Sequence, residues 1–378
     1  MVSNIQQVIT SIVVFCIVLF LYLHIQFHLK TSNDLEIYEI EEASKEKKEE
    51  ICDLRQPVLF DFPDKEDCQR IINTTNKQYL LDNYPVFEIK IRDNTEQQSD
   101  TELYVPLPLH VASKLFEEDK KACYFSEGNN DFLYETGVAK SFSYNDEYLR
   151  PYMVSNCYYD VLFSSTNVET PFRYDINYRN YYLVTQGSLI VKLSPPKSSK
   201  YLHPINDYEL FEFRSSINPW NPQNKYKVDF DKIKCLEIVL TPGKILYIPA
   251  YWWYSFKFEE NSSVSCFKYR TYMNNLAIAP QIALYALQNQ NVERKFAKQI
   301  DIKNLGLDKN KYNEPNENNK NKDFLNANND FIENDELTNN LNSFEIQIPD
   351  ILIPKEEPEP LPNIGETFIN NDNIATIE

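Results

Sequence analysis

Glycine is scarce. The 378-residue chain has only 6, where average usage of about 7% would supply on the order of 26. No G-x-G-x-x-G and no P-loop can be written from positions 128, 137, 187, 243, 306 and 365. Glycine loops that cradle phosphates, and the dinucleotide and P-loop enzymes that depend on them, are therefore excluded. No segment gathers Lys and Arg into the stripe that phosphate neutralisation needs, so no nucleic-acid partner is expected. The seven cysteines, at 16, 52, 68, 123, 157, 235 and 266, are odd in number, scattered, and never in a C-x-x-C spacing. That pattern indicates neither a disulfide framework nor a zinc knuckle, and fits free thiols used as small buried hydrophobes. Of the four histidines, His24 and His28 fall in an N-terminal apolar run, which leaves His110 and His203. His203 is read as a solvated loop residue.

Charge and apolar residues are unevenly placed. The net charge is -18, and residues 301–378 alone hold 17 Asp or Glu against 6 Lys. This Asn-rich acidic tail cannot bury enough apolar surface to offset the entropy of ordering, and is expected to be disordered. At the other end, Val8 to Leu29 reads VITSIVVFCIVLFLYLHIQFHL, 22 residues without a formal charge. At 1.5 Å per residue that run covers a hydrocarbon core of roughly 30 Å. Residues 1–7 carry no Lys or Arg and no A-x-A site follows, so 8–29 is read as an uncleaved single-pass membrane anchor and not as a signal peptide. Lys30, Lys45, Lys47 and Lys48 follow it, which places the large C-terminal part in the cytosol by the positive-inside tendency.

Residues 30–50 are dense in both charges and lack a sustained apolar stripe; they are read as a solvated stalk, with the fold starting near Ile51. From Ile51 to about residue 150 the pattern is mixed, with VASKLFEEDKK as a helical period. Between Tyr158 and Tyr272 short runs rich in β-branched and aromatic residues are bounded by Pro, Gly, Asn and Ser, the pattern of a β-sandwich or barrel. In 274–300 the period becomes helical, and a homodimer through these C-terminal helices is an expectation. Alternating strand faces would put one ring of the Trp252–Trp253 pair in the core and the other outside.

The segment TPFRYDINYRNYYLVTQGSLIVKLSPP, followed some fifty residues later by LTPGKILYIPAYWW, resembles the Fe(II)/2-oxoglutarate oxygenases of the JmjC and cupin-like hydroxylase group, the protein asparaginyl hydroxylases included. The resemblance runs from Pro57 to Tyr272 and is strongest from Thr170 to Tyr254. It implies a mainly β fold, a double-stranded β-helix (cupin or jelly-roll) domain over 51–300 with its core at 158–272 and flanking helices.

The resemblance also implies a metal site of two imidazoles and one carboxylate that leaves coordination positions for 2-oxoglutarate and dioxygen. Here that site is degenerate. The His-x-Asp position reads Arg173-Tyr174-Asp175, and the second histidine position is Tyr254. A guanidinium has no lone pair for a metal, so only Asp175 is retained of the triad. The basic residue that would pair the distal carboxylate of 2-oxoglutarate aligns with Leu189, and a polar residue of the closing strand aligns with Cys266. Thr170 and Asn180 remain on the cosubstrate side. Asp175 stripped of a metal would be a buried lone carboxylate, and Arg173, two residues away on the same face, is expected to compensate it as a salt bridge.

The expectation is a membrane-anchored, non-catalytic protein, a binding or scaffolding module on an oxygenase fold, with an unidentified protein partner and no cofactor. Two alternatives stand beside it: a hydroxylase or demethylase using Fe(II) and 2-oxoglutarate with non-standard ligands, and a small-carboxylate sensor that uses Arg173.

Overall fold

The computed structural model describes residues 2–41, 43–94, 104–208, 210–259 and 261–290. Fifteen strands are formed among them. The first six are β1 (Tyr38–Ile40), β2 (Val58–Asp61), β3 (Glu88–Asp93), β4 (Tyr104–Pro108), β5 (Tyr124–Ser126) and β6 (Val154–Ser164). They are followed by β7 (Arg173–Tyr174), β8 (Arg179–Gln186), β9 (Leu189–Ser194), β10 (Pro204–Asp207) and β11 (Glu212–Ser215). The last four are β12 (Leu236–Leu240), β13 (Lys244–Tyr247), β14 (Trp253–Phe258) and β15 (Ser263–Thr271). One sheet has the order β1-β2-β13-β8-β15-β6-β5-β3-β4 and the other β10-β11-β7-β14-β9-β12. Every pairing is antiparallel except β1 with β2.

Strand alternation sorts the side chains of the larger sheet into two cores. Tyr181, Leu183, Ile245, Tyr247, Phe267 and Tyr269 face the outer layer, where they pack with residues of the helices Lys65–Thr75, Leu109–Glu118, Asn130–Glu135 and Ala139–Asn145. Their neighbours one position along, Tyr182, Val184, Leu246, Val264 and Cys266, turn inward and meet Leu189, Val191, Leu193, Phe256 and Phe258 of the smaller sheet. The period of two in each strand is what permits one sheet to serve both layers. It also explains why β8 is almost wholly buried, its polar Arg179, Asn180 and Thr185 included: seven of its eight residues are buried because both of its faces are covered.

Two of the rare glycines stand where the chain crosses between sheets. Gly187 (φ +71°) carries it from β8 to β9, and Gly243 (φ +90°) from β12 to β13. Both angles lie in the left-handed region, where a Cβ is penalised and glycine is not.

Several expectations are corrected. Residues 38–41 and 43–52 are part of the fold and not a solvated stalk: β1 pairs with β2, and the helix Lys45–Cys52 packs with Lys48 fully buried. Lys48 Nζ donates to the backbone oxygen of Tyr148 at 2.6 Å, so a residue read as solvent-facing charge satisfies a buried carbonyl. Arg179 ties this segment to the larger sheet, with its guanidinium 3.0 Å from Glu49 and also paired with Asp53. Both members of the Trp pair are buried: Trp252 lies between the sheets, and Trp253 lies in a satellite cluster whose indole donates to Ser199 at 2.8 Å. The short helix Ser199–Leu202, invisible to periodicity, covers the face that alternation leaves open.

The N-terminal helix runs from Val2 to Leu29, and its Ile5–Leu29 stretch is long and apolar enough to cross a membrane. Its last turn touches the domain. The His28 ring lies 5.1 Å from that of Tyr178, and the Arg55 guanidinium sits 4.6 Å over the Phe27 ring. The expected C-terminal helices are Tyr272–Ala277 and Ala279–Gln290; residues 291–300, and the tail at 301–378, lie outside the described residues.

Arg179 is fully buried, so replacing it leaves Glu49 without its guanidinium in a mostly buried setting. Arg179→Met is expected to lower the unfolding free energy by about 3 kcal/mol, the low end for breaking a buried ion pair because Asp53 is partly exposed. Denaturant unfolding of the detergent-solubilised full chain checks it, and a loss under about 1 kcal/mol, the exposed-pair range, would contradict the clamp.

Candidate functional site

A cavity of about 580 Å³ opens at one end of the two sheets, and Arg173, Asp175 and Tyr254 all line it. Tyr254 of β14 is the register partner of Arg173 of β7. Their pairings differ from the expectation. Arg173 does not bridge to Asp175; its Nη1 pairs with Glu127 Oε2. Asp175 is met instead by Lys268, whose Nζ lies 3.0 Å from Oδ1. Tyr182 and Tyr254 each donate a phenolic hydrogen to Asp175 Oδ2 at 2.9 Å.

The reason is strand geometry. A spacing of two puts Arg173 and Asp175 on one side of the chain, but β7 ends at Tyr174, and each side chain meets the opposite charge already present on the neighbouring wall. On β15 the inward residues run Val264, Cys266, Lys268 and Arg270, passing from apolar core to cavity. Counting two residues on from Cys266 in the sequence reaches Lys268, which is the signal that could have found it. Nothing local marks Glu127. It lies in the turn after β5 and reaches Arg173 only because β5 pairs with β6 in the larger sheet.

Arg173 belongs to a longer relay. Glu127 also accepts from Arg92 at 2.7 Å, Arg92 bridges on to Glu212 at 2.8 Å, and Tyr104 donates to Glu212 at 2.8 Å. Burial pushes the Glu127 carboxyl up, but the Arg173 and Arg92 guanidinia outweigh it and hold the group below its ordinary value. The same balance holds at Asp175, where Lys268 and the hydrogen bonds from Lys268, Tyr254 and Tyr182 overcome burial and keep a carboxylate. Burial and the Asp175 charge push the Tyr254 phenol well above its ordinary value, so it stays protonated and serves as a donor. Asp160 is the exception: burial raises it to about 6 even though the backbone N–H groups of Gly128 and Asn129 each donate to it at 2.8 Å.

A ferrous ion does not fit this donor set. Both oxygens of Asp175 are engaged by three protein donors, Arg173 offers no lone pair, and Tyr254 is a neutral phenol. Among the described residues no group of three or more His, Cys, Asp and Glu is placed to hold a metal. His203 is 3.0 Å from Asp229 and His110 bonds the Pro85 carbonyl at 2.7 Å; neither lines the cavity.

Thr170 and Asn180 are buried and do not line it either. Thr170 Oγ1 accepts from the Phe256 backbone at 2.9 Å, and Asn180 Nδ2 donates to the Ile248 carbonyl at 3.1 Å. Leu189 and Cys266 are core residues between the sheets.

Comparison with known sequences agrees with the architecture. The profile of the cupin-like domain family matches residues 44–270, and the chain belongs to that family. It is 32% identical over 91 residues to HSPB1-associated protein 1 of Rattus norvegicus and of Homo sapiens, which covers 24% of this chain and 19% of each of theirs. It is 33% identical over 88 residues to JmjC domain-containing protein D of Dictyostelium discoideum, covering 23% of this chain and 19% of that protein. The chain thus matches about a fifth of the length of these relatives. The family match begins at residue 44, which agrees with the packed helix Lys45–Cys52.

The Asp175–Lys268 pair sets two expectations. Lys268→Met lowers the unfolding free energy by about 2 to 3 kcal/mol, below the full buried-pair range because the two side chains are 27% and 19% exposed. Asp175 is depressed in the folded state, so its contribution to stability is fully present above the ordinary value of 3.8 and is lost as pH falls below it. The stability gap between wild type and Asp175→Asn should therefore close on acidification in denaturation series. A gap independent of pH would mean that Asp175 is not held as a carboxylate by Lys268.

Proposed function

We propose that this protein is a membrane-anchored, non-catalytic member of the cupin-like family, a binding module that keeps the fold and cavity of an oxygenase without its metal chemistry. One observation carries the reading: Asp175, the remaining triad position, has its charge compensated by Lys268 and its second oxygen engaged by two phenols. An ammonium does there electrostatically what a divalent cation would do in an active relative, and it leaves no donor set to bind or activate a cosubstrate. The names of the relatives are consistent with the architecture.

Anchoring rests on Ile5–Leu29, which carries no Asp, Glu, Lys or Arg and of whose most apolar window none is buried. With the domain packed against its last turn, the domain stays near the membrane, on the cytosolic side by the charge of the flanking lysines. Alkaline carbonate extraction of membranes from expressing cells should leave the full chain in the pellet; release into the supernatant would sink the anchor. A homodimer belongs to the same reading, since Leu284 and Leu287 of Ala279–Gln290 are exposed.

Metal analysis of the purified full chain tests the non-catalytic reading, and no stoichiometric iron is expected. Calorimetric titration with Co(II) gives the sharper comparison. The double variant Arg173→His with Tyr254→His should still fail to bind, because Lys268 keeps its hold on Asp175. Adding Lys268→Met should give weak binding, as three donors then converge. Stoichiometric iron in the wild type, or peptide-dependent release of succinate from 2-oxoglutarate, would overturn the reading.

A further inference from the structure

Among the described residues, the charges around the cavity pair off and one cation remains. Glu127 and Glu212 are matched by Arg173 and Arg92, and Asp175 by Lys268. Asp160 turns both oxygens to the backbone, to Gly128, Asn129 and Val161. Arg270, one inward step beyond Lys268 on β15, lines the same cavity and has no carboxylate partner among the described residues.

Its placement is fixed without being neutralised. The Nε donates to Asn177 Oδ1 at 2.6 Å, Asn177 in turn donates to Asn180, and Asn180 to the Ile248 carbonyl. Asn180, expected on the cosubstrate side, thus acts two hydrogen bonds away as a positioning residue. The guanidinium lies 5.0 Å from the ring centroids of both Tyr158 and Phe211. Phe211 holds its position at φ +57°, a conformation that bulky residues rarely adopt, and packs edge-on against Tyr285 at 5.3 Å. With Nε occupied and two aromatic rings beside the guanidinium, the two terminal amino groups remain as donors with no hydrogen-bond partner among the described residues. That fork matches a carboxylate bidentately, and the aromatic wall beside it matches a flat apolar body.

We propose that Arg270 anchors a carboxylate site at this end of the cavity, taking a small acid whose apolar or aromatic body lies against Tyr158, Phe211 and Tyr285. The site is separate from Asp175 and from Arg173, the cation expected for this role, which Glu127 neutralises. The inference deepens the binding-module reading and rests on it.

The test is calorimetric titration of the full chain in nanodiscs with phenylacetate, beside its neutral isostere phenylacetamide, phenethylammonium, and a capped Ala-Glu-Ala tripeptide. Phenylacetate or the tripeptide should bind and the other two should not, and which of the two binds more tightly tells a free acid from a protein side chain. Arg270→Gln should weaken that binding about tenfold or more, the scale of one charged hydrogen-bonded contact, while Arg270→Lys retains part of it. Melting without ligand shows that the variants fold, and Tyr285→Ala, on the partly exposed rim, should likewise reduce phenylacetate affinity. Equal binding of phenylacetate and phenylacetamide, binding unchanged by Arg270→Gln, or no binding of either acid at millimolar concentration overturns the site. Iron measured on the same sample tests the parent reading separately: a metal-free protein that ignores both acids refutes the Arg270 site alone.

Discussion

A buried carboxylate must be compensated, and the cavity of this protein is organised around how that is done for Asp175. An isolated charge between two sheets would cost several kcal/mol or take up a proton. The Lys268 ammonium and the phenols of Tyr182 and Tyr254 supply the compensation from three strands. Those contacts join β15 and β8 of the larger sheet to β14 of the smaller one, so the pair holds the two sheets together at their polar end as the apolar core does in the interior. The second charged relay, from Arg173 through Glu127 and Arg92 to Glu212, does the same for β3, β5, β7 and β11.

The cost of this arrangement is chemical. Each donor that stabilises Asp175 takes a position that a metal would need, and a network made to satisfy its own charges has little left for a cosubstrate. Such a pocket can lose activity and keep its shape, because shape is fixed by the strand pairing and the inter-sheet core, neither of which needs the metal.

The segment after the N-terminal helix shows a related economy. Lys48, Arg179, Glu49 and Asp53 form a charged seam that is largely buried where the chain enters the fold, and Phe27 and His28 pack onto its edge. A seam of this kind joins the apolar helix to the domain without an apolar linker, and it limits the freedom of the domain relative to the helix.

Much of the architecture was legible because it depends on local pattern. The period of two, the Pro and Gly breaks and the ordered motif from Thr170 to Tyr254 are enough to define a cupin-like β-domain, and the uncharged run to Leu29 defines an apolar helix of spanning length. The three positions aligned with the metal ligands, Arg173, Asp175 and Tyr254, line one cavity. Their partners were not legible, since Glu127 is 46 residues from Arg173 and Lys268 is 93 from Asp175, and a salt bridge is chosen by distance in space. A charge-rich stretch such as 45–52 likewise reads as solvated until its partners are known, because burial of a lysine depends on a carbonyl a hundred residues away. Periodicity in the chain sets which way a side chain faces; which opposite charge it meets is settled when the sheets close over one another.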